Sequence, residues 1–352
     1  MRTYNLIVFL LILFLAKAFA EDSLDWFEKT AKQKRYTDQV APKLKQIDKK
    51  DRLKALSILS NARHNGIKAS SFRYLSELKI GYKNEDICSV AWKYMSFEDH
   101  AYKIDVLKFL IEKRAEGVEE KTKHLYANVK EERAKLRYLE IIIDNRWSGW
   151  TDSLESFLNE KGLSKVSVGS AIIHTPLVYK QKVVLRLTDI IKPLLEDKRQ
   201  WGTSRICDLA ASRLASLYPM FSLELSEEDR KLIYGDKDAR NIWNKKLSDW
   251  IEKNKNTYAE SYKKHLHNAF QIVMNYQRDE ELYKAADNFK RLLKHDFNIK
   301  GKTISLDQRM DIIKKELSSW WAKYADRNIT EIISSSLEVK NKIDKELKDL
   351  PG

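Results

Sequence analysis

Two short stretches of this sequence share one helical pattern, built around its only two cysteines. In "SRICDLAASRL" and the residues that follow, Ile206, Leu209, Ala210, Leu214 and Leu217 recur at steps of about three and four, the period of a buried helix face, with Cys207 beside them. Upstream, "EDICSVAWKYM" repeats the order Ile, Cys, Ala at Ile87, Cys88 and Ala91, followed by matching large apolar residues. A cysteine packs as a small apolar residue. Both cysteines are therefore expected in equivalent core positions of repeated helical units, as free buried thiols and not as a disulfide. The core expected from the pattern is Ile87, Cys88, Val90, Ala91, Ile206, Cys207, Leu209, Ala210 and Leu214.

The rest of the chain agrees with an all-α fold. Only 10 glycines and 5 prolines occur in 352 residues, while Lys, Glu, Leu and Ala are plentiful, so most windows prefer helix. Leu53, Leu56, Ile58 and Leu59 mark one segment, expected to stop near Gly66; Phe72, Leu75, Leu78 and Ile80 mark another, expected to close at Gly81. The stretch "KVSVGSAIIHTPLVYKQKVVLRLTDIIKPLLED" is rich in β-branched residues. It still reads as helical, with Val166, Gly169, Ser170 and Ile173 as a tight packing stripe and Pro176 opening the next helix. After Pro219 the character shifts to a connecting segment with a Ser226-x-x-Asp229 capping signal, then to long charged helices, one carrying Trp243, Leu247, Trp250 and Ile251 on one face. The expected organisation is a repeat domain over residues 21–220 and a charged helical region over 221–352.

The amino terminus, MRTYNLIVFLLILFLAKAFA, has a basic start at Arg2, an apolar run from Leu6 to Ala16 and a small-residue site at Ala18-Phe19-Ala20. This predicts a signal peptide over residues 1–20 and a periplasmic or secreted protein. The run is shorter than the roughly 20 residues a membrane span needs, and no integral span is expected after cleavage. Cleavage removes Arg2 and Lys17 from the 65 basic residues and no acid, leaving 63 against 51, a net of +12. Such a surface attracts anionic neighbours, although the charges are interspersed as on solvated helix faces.

Between Ile190 and Lys255 the chain resembles bacterial HEAT-repeat domain proteins, related to the PBS-lyase type of repeat. The likeness is carried by Leu195 and Asp197 at the end of an apolar helix, then by Arg205, Cys207, Asp208, Ala210, Ala211 and Leu214 in the next. "DARNIWNKKLSDWIEKNK" resembles the helix that follows such repeats in exported members. The resemblance implies an α-solenoid of helical hairpins with additional C-terminal helices, and it carries over no catalytic residue. Cys88 and Cys207 lie 119 positions apart, about three HEAT-type units of ~40 residues. Trp92 and Lys93 depart from the small residues usual after Ala91.

Candidate chemistry is sparse. His265 and His267 are two apart and point away from each other on a helix. Glu227, Glu228, Asp229, Asp236 and Asp238 are explained by capping turns. No nucleotide-binding or nucleophile-elbow motif occurs, so no cofactor and no enzymatic activity are expected. Aromatics in loops are better binding candidates: Trp147 and Trp150 in "WSGW", and Trp201, are expected to face a ligand. Asp208 is expected to accept hydrogen bonds from an inter-helix loop. The leading reading is an exported, non-catalytic scaffold that binds another protein. The alternatives are an envelope protein that binds nucleic acid or an acidic glycan through its basic surface, and an enzyme of unknown type.

Overall fold

Regularly spaced apolar residues and few chain-breaking ones give the all-α fold the sequence implies. The computed structural model describes residues 24–78, 82–300 and 305–349. The expected signal peptide and the closing residues Ile80 and Gly81 lie outside them. The described chain forms two compact units that divide between Trp147 and Ser148, whereas the sequence suggested a boundary near residue 220.

The first unit runs through α1 (residues 24–31), α2 (Val40–Gln46), α3 (Lys49–Leu59), α4 (Asn65–Glu77), α5 (Asn84–Lys93), α6 (His100–Glu112), α7 (Val118–Asn128) and α8 (Glu132–Asp144). Successive helices pack on one another, notably α7 on α8 and α5 on α6. At the centre, buried Tyr94 donates its hydroxyl to the Leu56 carbonyl at 3.0 Å and lies 2.9 Å from Ser71 Oγ, which joins α3, α4 and the turn after α5. Its ring packs against Phe72, which meets Phe109 of α6 edge-on. Burial of each such ring contributes roughly 1.5–3 kcal/mol. Gly66 does not stop a helix: it stands in the first turn of α4, where His64 Nδ1 accepts its N–H at 3.0 Å.

The second unit contains α9 (Trp150–Leu158), α10 (Lys165–His174), α11 (Gln181–Ile191), α12 (Ile206–Leu217), α13 (Pro219–Glu224), α14 (Glu227–Lys231), α15 (Lys237–Asn254), α16 (Tyr258–Asn275), α17 (Asp279–Leu293), α18 (Leu306–Tyr324) and α19 (Ile329–Lys348). A two-residue antiparallel hairpin, β1 (Gln200–Trp201) with β2 (Ser204–Arg205), precedes α12. Residue 220 does not separate packed bodies: α12 touches α15, and Phe221 of α13 packs against Trp243 of α15. Pro219 reads locally as a break, yet it occupies the first turn of α13, where its missing N–H costs nothing. Ser226 caps α14 as its sequence suggests, accepting the Asp229 N–H at 3.1 Å.

The β-branched stretch is helical in α10, but its packing face differs from the expected one. Val166 and Ile173 are exposed, and Val168, Ala171 and Ile172 are buried. Pro176 lies in the link before α11, which begins at Gln181. Gly169 does mark a close approach, because a Cβ there would stand 2.7–2.8 Å from the Trp201 ring.

Both cysteine helices form. Eight of the nine expected core residues are buried, and Leu209 is half-buried, since α12 turns its 210/211/214/217 side inward. Cys88 and Cys207 are free, buried thiols, and burial pushes both above the usual thiol range. Two outcomes follow. Thiol reagent at pH 7 should modify neither cysteine until the chain is unfolded, read by mass spectrometry across a urea series. Gly169→Ala should displace Trp201 at a cost of about 1–3 kcal/mol, seen as lost hydrogen-exchange protection in residues 200–205; unchanged protection would refute the contact.

Candidate functional site

The start of α12 organises a connected polar cluster in the second unit. Backbone hydrogen bonds from Ile206 and Cys207 to the carbonyls of Arg199 and Asp197 pin the first turn, the latter at 2.8 Å. Asp197 itself accepts from Arg199 Nε and Nη2, and Arg199 Nη1 reaches the Leu163 carbonyl at 2.7 Å. These bonds hold the Asp197 carboxyl below its usual range. The loop thus presents Arg205 and Asp208 in one fixed orientation.

Asp208 accepts hydrogen bonds from Arg205 in the link between α11 and α12. Arg205 donates from Nε at 2.9 Å and from Nη2 at 2.7 Å, a two-pronged pairing of planar groups. Arg240 Nε on α15 stands 3.3 Å from Oδ2, and Asn244 Nδ2 lies 3.5 Å from Oδ1. Arg205 Nη1 also donates to Asn241 Oδ1 at 2.9 Å. The Arg205 side chain is 5% exposed and that of Asp208 is 13% exposed, so this is an interior ion pair bridging α12 and α15. Burial works to raise the Asp208 pKa, but the Arg205 hydrogen bonds and the charges of Arg205 and Arg240 outweigh it and hold the carboxyl below its ordinary value.

Beside this cluster lies a cavity of about 330 Å³, at the small end of the range for ligand pockets. Ser212, Ala215 and Ser216 of α12 line one side, a row of small residues at helical spacing. Arg240, Trp243 and Asn244 of α15 line another, and Arg291 with Lys294 at the end of α17 adds two further cations. Trp243 is only 7% exposed, and its indole N–H has no hydrogen-bond acceptor. An orphaned buried donor costs about 1–3 kcal/mol. The sequence placed Trp243 on a core face and contained no signal that its nitrogen would lack a partner.

The aromatic candidates are not gathered into one site. Trp147 ends the first unit, and Trp150 opens α9 in the second; both are half-buried. Trp201 covers Gly169 and so fastens the hairpin to α10. No ring contact joins Trp150 to Trp201 among the described residues. His265 Nε2 lies 2.9 Å from Glu224 Oε1, and the other oxygen of that carboxylate accepts the Trp250 indole N–H at 2.6 Å. Among the described residues, no group of three or more His, Cys, Asp or Glu side chains is placed to hold a metal, and no helix is long and apolar enough to cross a membrane.

Asp208→Ala leaves the Arg205 guanidinium buried without its counter-charge and should cost roughly 3–5 kcal/mol, measured by urea unfolding at neutral pH. The folded-state pKa of Asp208 is depressed, so the ionised carboxylate stabilises the fold fully above the unfolded value near ~4. That advantage over Asp208→Asn should disappear as pH falls through the lower, folded value. No family model, curated protein or solved structure matches this chain.

Proposed function

We propose that this chain is an exported, non-catalytic helical-repeat scaffold of the α-solenoid kind that binds another protein. The observation that carries the binding reading is Tyr234, 89% exposed in the turn between α14 and α15, next in sequence to Ile233 of the cavity wall. A large aromatic held in water on a helical framework is the kind of anchor that a partner covers. Ile242 of α15, 51% exposed, adds apolar area on the same α14–α15 segment. The repeat reading is supported by the two Ile-Cys-x-Val/Leu-Ala helices, which bury the same small-residue face, and by successive helices that pack on one another within each unit. The basic start, short apolar run and Ala-Phe-Ala of the first 20 residues support export.

Three results are expected. Protein recovered from its native envelope should begin at Glu21 by amino-terminal sequencing. Affinity capture should retain a protein partner at both about 0.1 and about 0.5 M salt, and Tyr234→Ser should lower that retention at least tenfold while leaving Tm unchanged. A dominant nucleic acid or acidic glycan, released steeply as salt rises, would favour the polymer-binding alternative and overturn this reading.

A further inference from the structure

We infer that the cavity between α12, α15 and the end of α17 is a binding site for a carboxylate carried on a compact apolar body. This inference is independent of the scaffold reading. Charge is the first argument. The lining has a single acid, Asp208, and that acid is already matched by buried Arg205 and by Arg240. Arg291 and Lys294 therefore stand as cations in excess. Basic residues in a last helical turn commonly answer the helix dipole, and Lys290 and Arg291 both hold such positions on α17. Arg291 differs in lining a cavity, and its guanidinium has no carboxylate partner among the described residues.

The Trp243 ring lines the same space, so its indole N–H reports on an occupant. Shape is the second argument. Ala215, Pro219, Ile233 and the Trp243 ring give an apolar wall, while Ser212 and Ser216 add hydroxyls without filling the space. A volume of about 330 Å³ suits one carboxylate and one aromatic or branched side group. Both a free organic acid and the C-terminal residue of a peptide have this chemistry.

The test uses the full chain with N-acetylphenylalanine as probe and N-acetylphenylalaninamide as its uncharged match. Heteronuclear NMR would follow the Trp243 indole N–H, assigned by its absence in Trp243→Phe. The acid should shift that resonance saturably, and the amide should bind at least tenfold more weakly. Arg291→Gln, at an exposed position, should weaken acid binding at least tenfold with Tm unchanged. A pentapeptide ending in phenylalanine that binds tighter than the acid would identify a peptide terminus as the source; equal or weaker binding would identify a free acid. No shift, equal affinity for acid and amide, or full affinity in Arg291→Gln would overturn the inference. None of these results depends on whether a protein partner is captured.

Discussion

The buried pairing of Arg205 with Asp208 is the constraint on which the second unit's polar architecture rests. Taking two charges out of water costs several kcal/mol per ion, and attraction between them offsets that cost only with good geometry and further hydrogen bonds. Here the two-pronged contact supplies the geometry, Asn241 and Asn244 of α15 supply the further hydrogen bonds, and the charge of Arg240 stands 3.3 Å away. An apolar pair of equal volume would join the same helices about as tightly. It would not fix their rotation, whereas a pairing with directional bonds to residues 241 and 244 selects one face of α15. That choice sets Trp243 and Arg240 along the cavity.

The short-range part of this arrangement is legible in the sequence. The stripe of Ile206, Ala210, Leu214 and Leu217 repeats with the helical period, so burial of that side follows from position alone. The same holds for Trp243, Leu247 and Ile251 on α15 and for Met310, Ile313, Leu317 and Trp320 on α18. The expectations that miss are those that depend on what packs opposite. Val166 and Ile173 are as apolar as Val168 and Ile172, and only the placement of Trp201 and α12 decides which pair is covered. Residue Gly66 carries a helix-stop signal, but the His64 ring supplies a cap and turns it into a helix start.

The polar network is illegible for a related reason. Asp208 and its partners on α15 lie more than thirty positions apart, beyond any local pattern, and only Arg205, in the nearby link, stands within reach of a sequence reading. The division between Trp147 and Ser148 is equally hidden, because "WSGW" looks like an aromatic loop and Pro219 looks like a boundary. Composition marks where a chain turns. Which turns separate compact units depends on long-range packing, and Phe221 beneath Trp243 joins what Pro219 seems to part.

The small residues of α12 show how one local pattern serves two opposite ends. Ala210 and Ala211 are fully buried, and their size lets neighbouring helices approach. Ser212, Ala215 and Ser216, on the adjoining side of the same helix, line open space instead. Larger apolar residues there would add buried area and give the Trp243 ring more to touch, so a chain selected only for stability would tend to fill the gap. Keeping it gathers Arg291 and Lys294 beside a carboxylate already matched by Arg205 and Arg240. Like charges held together repel, and an anionic occupant relieves that cost, which favours a site over loose packing.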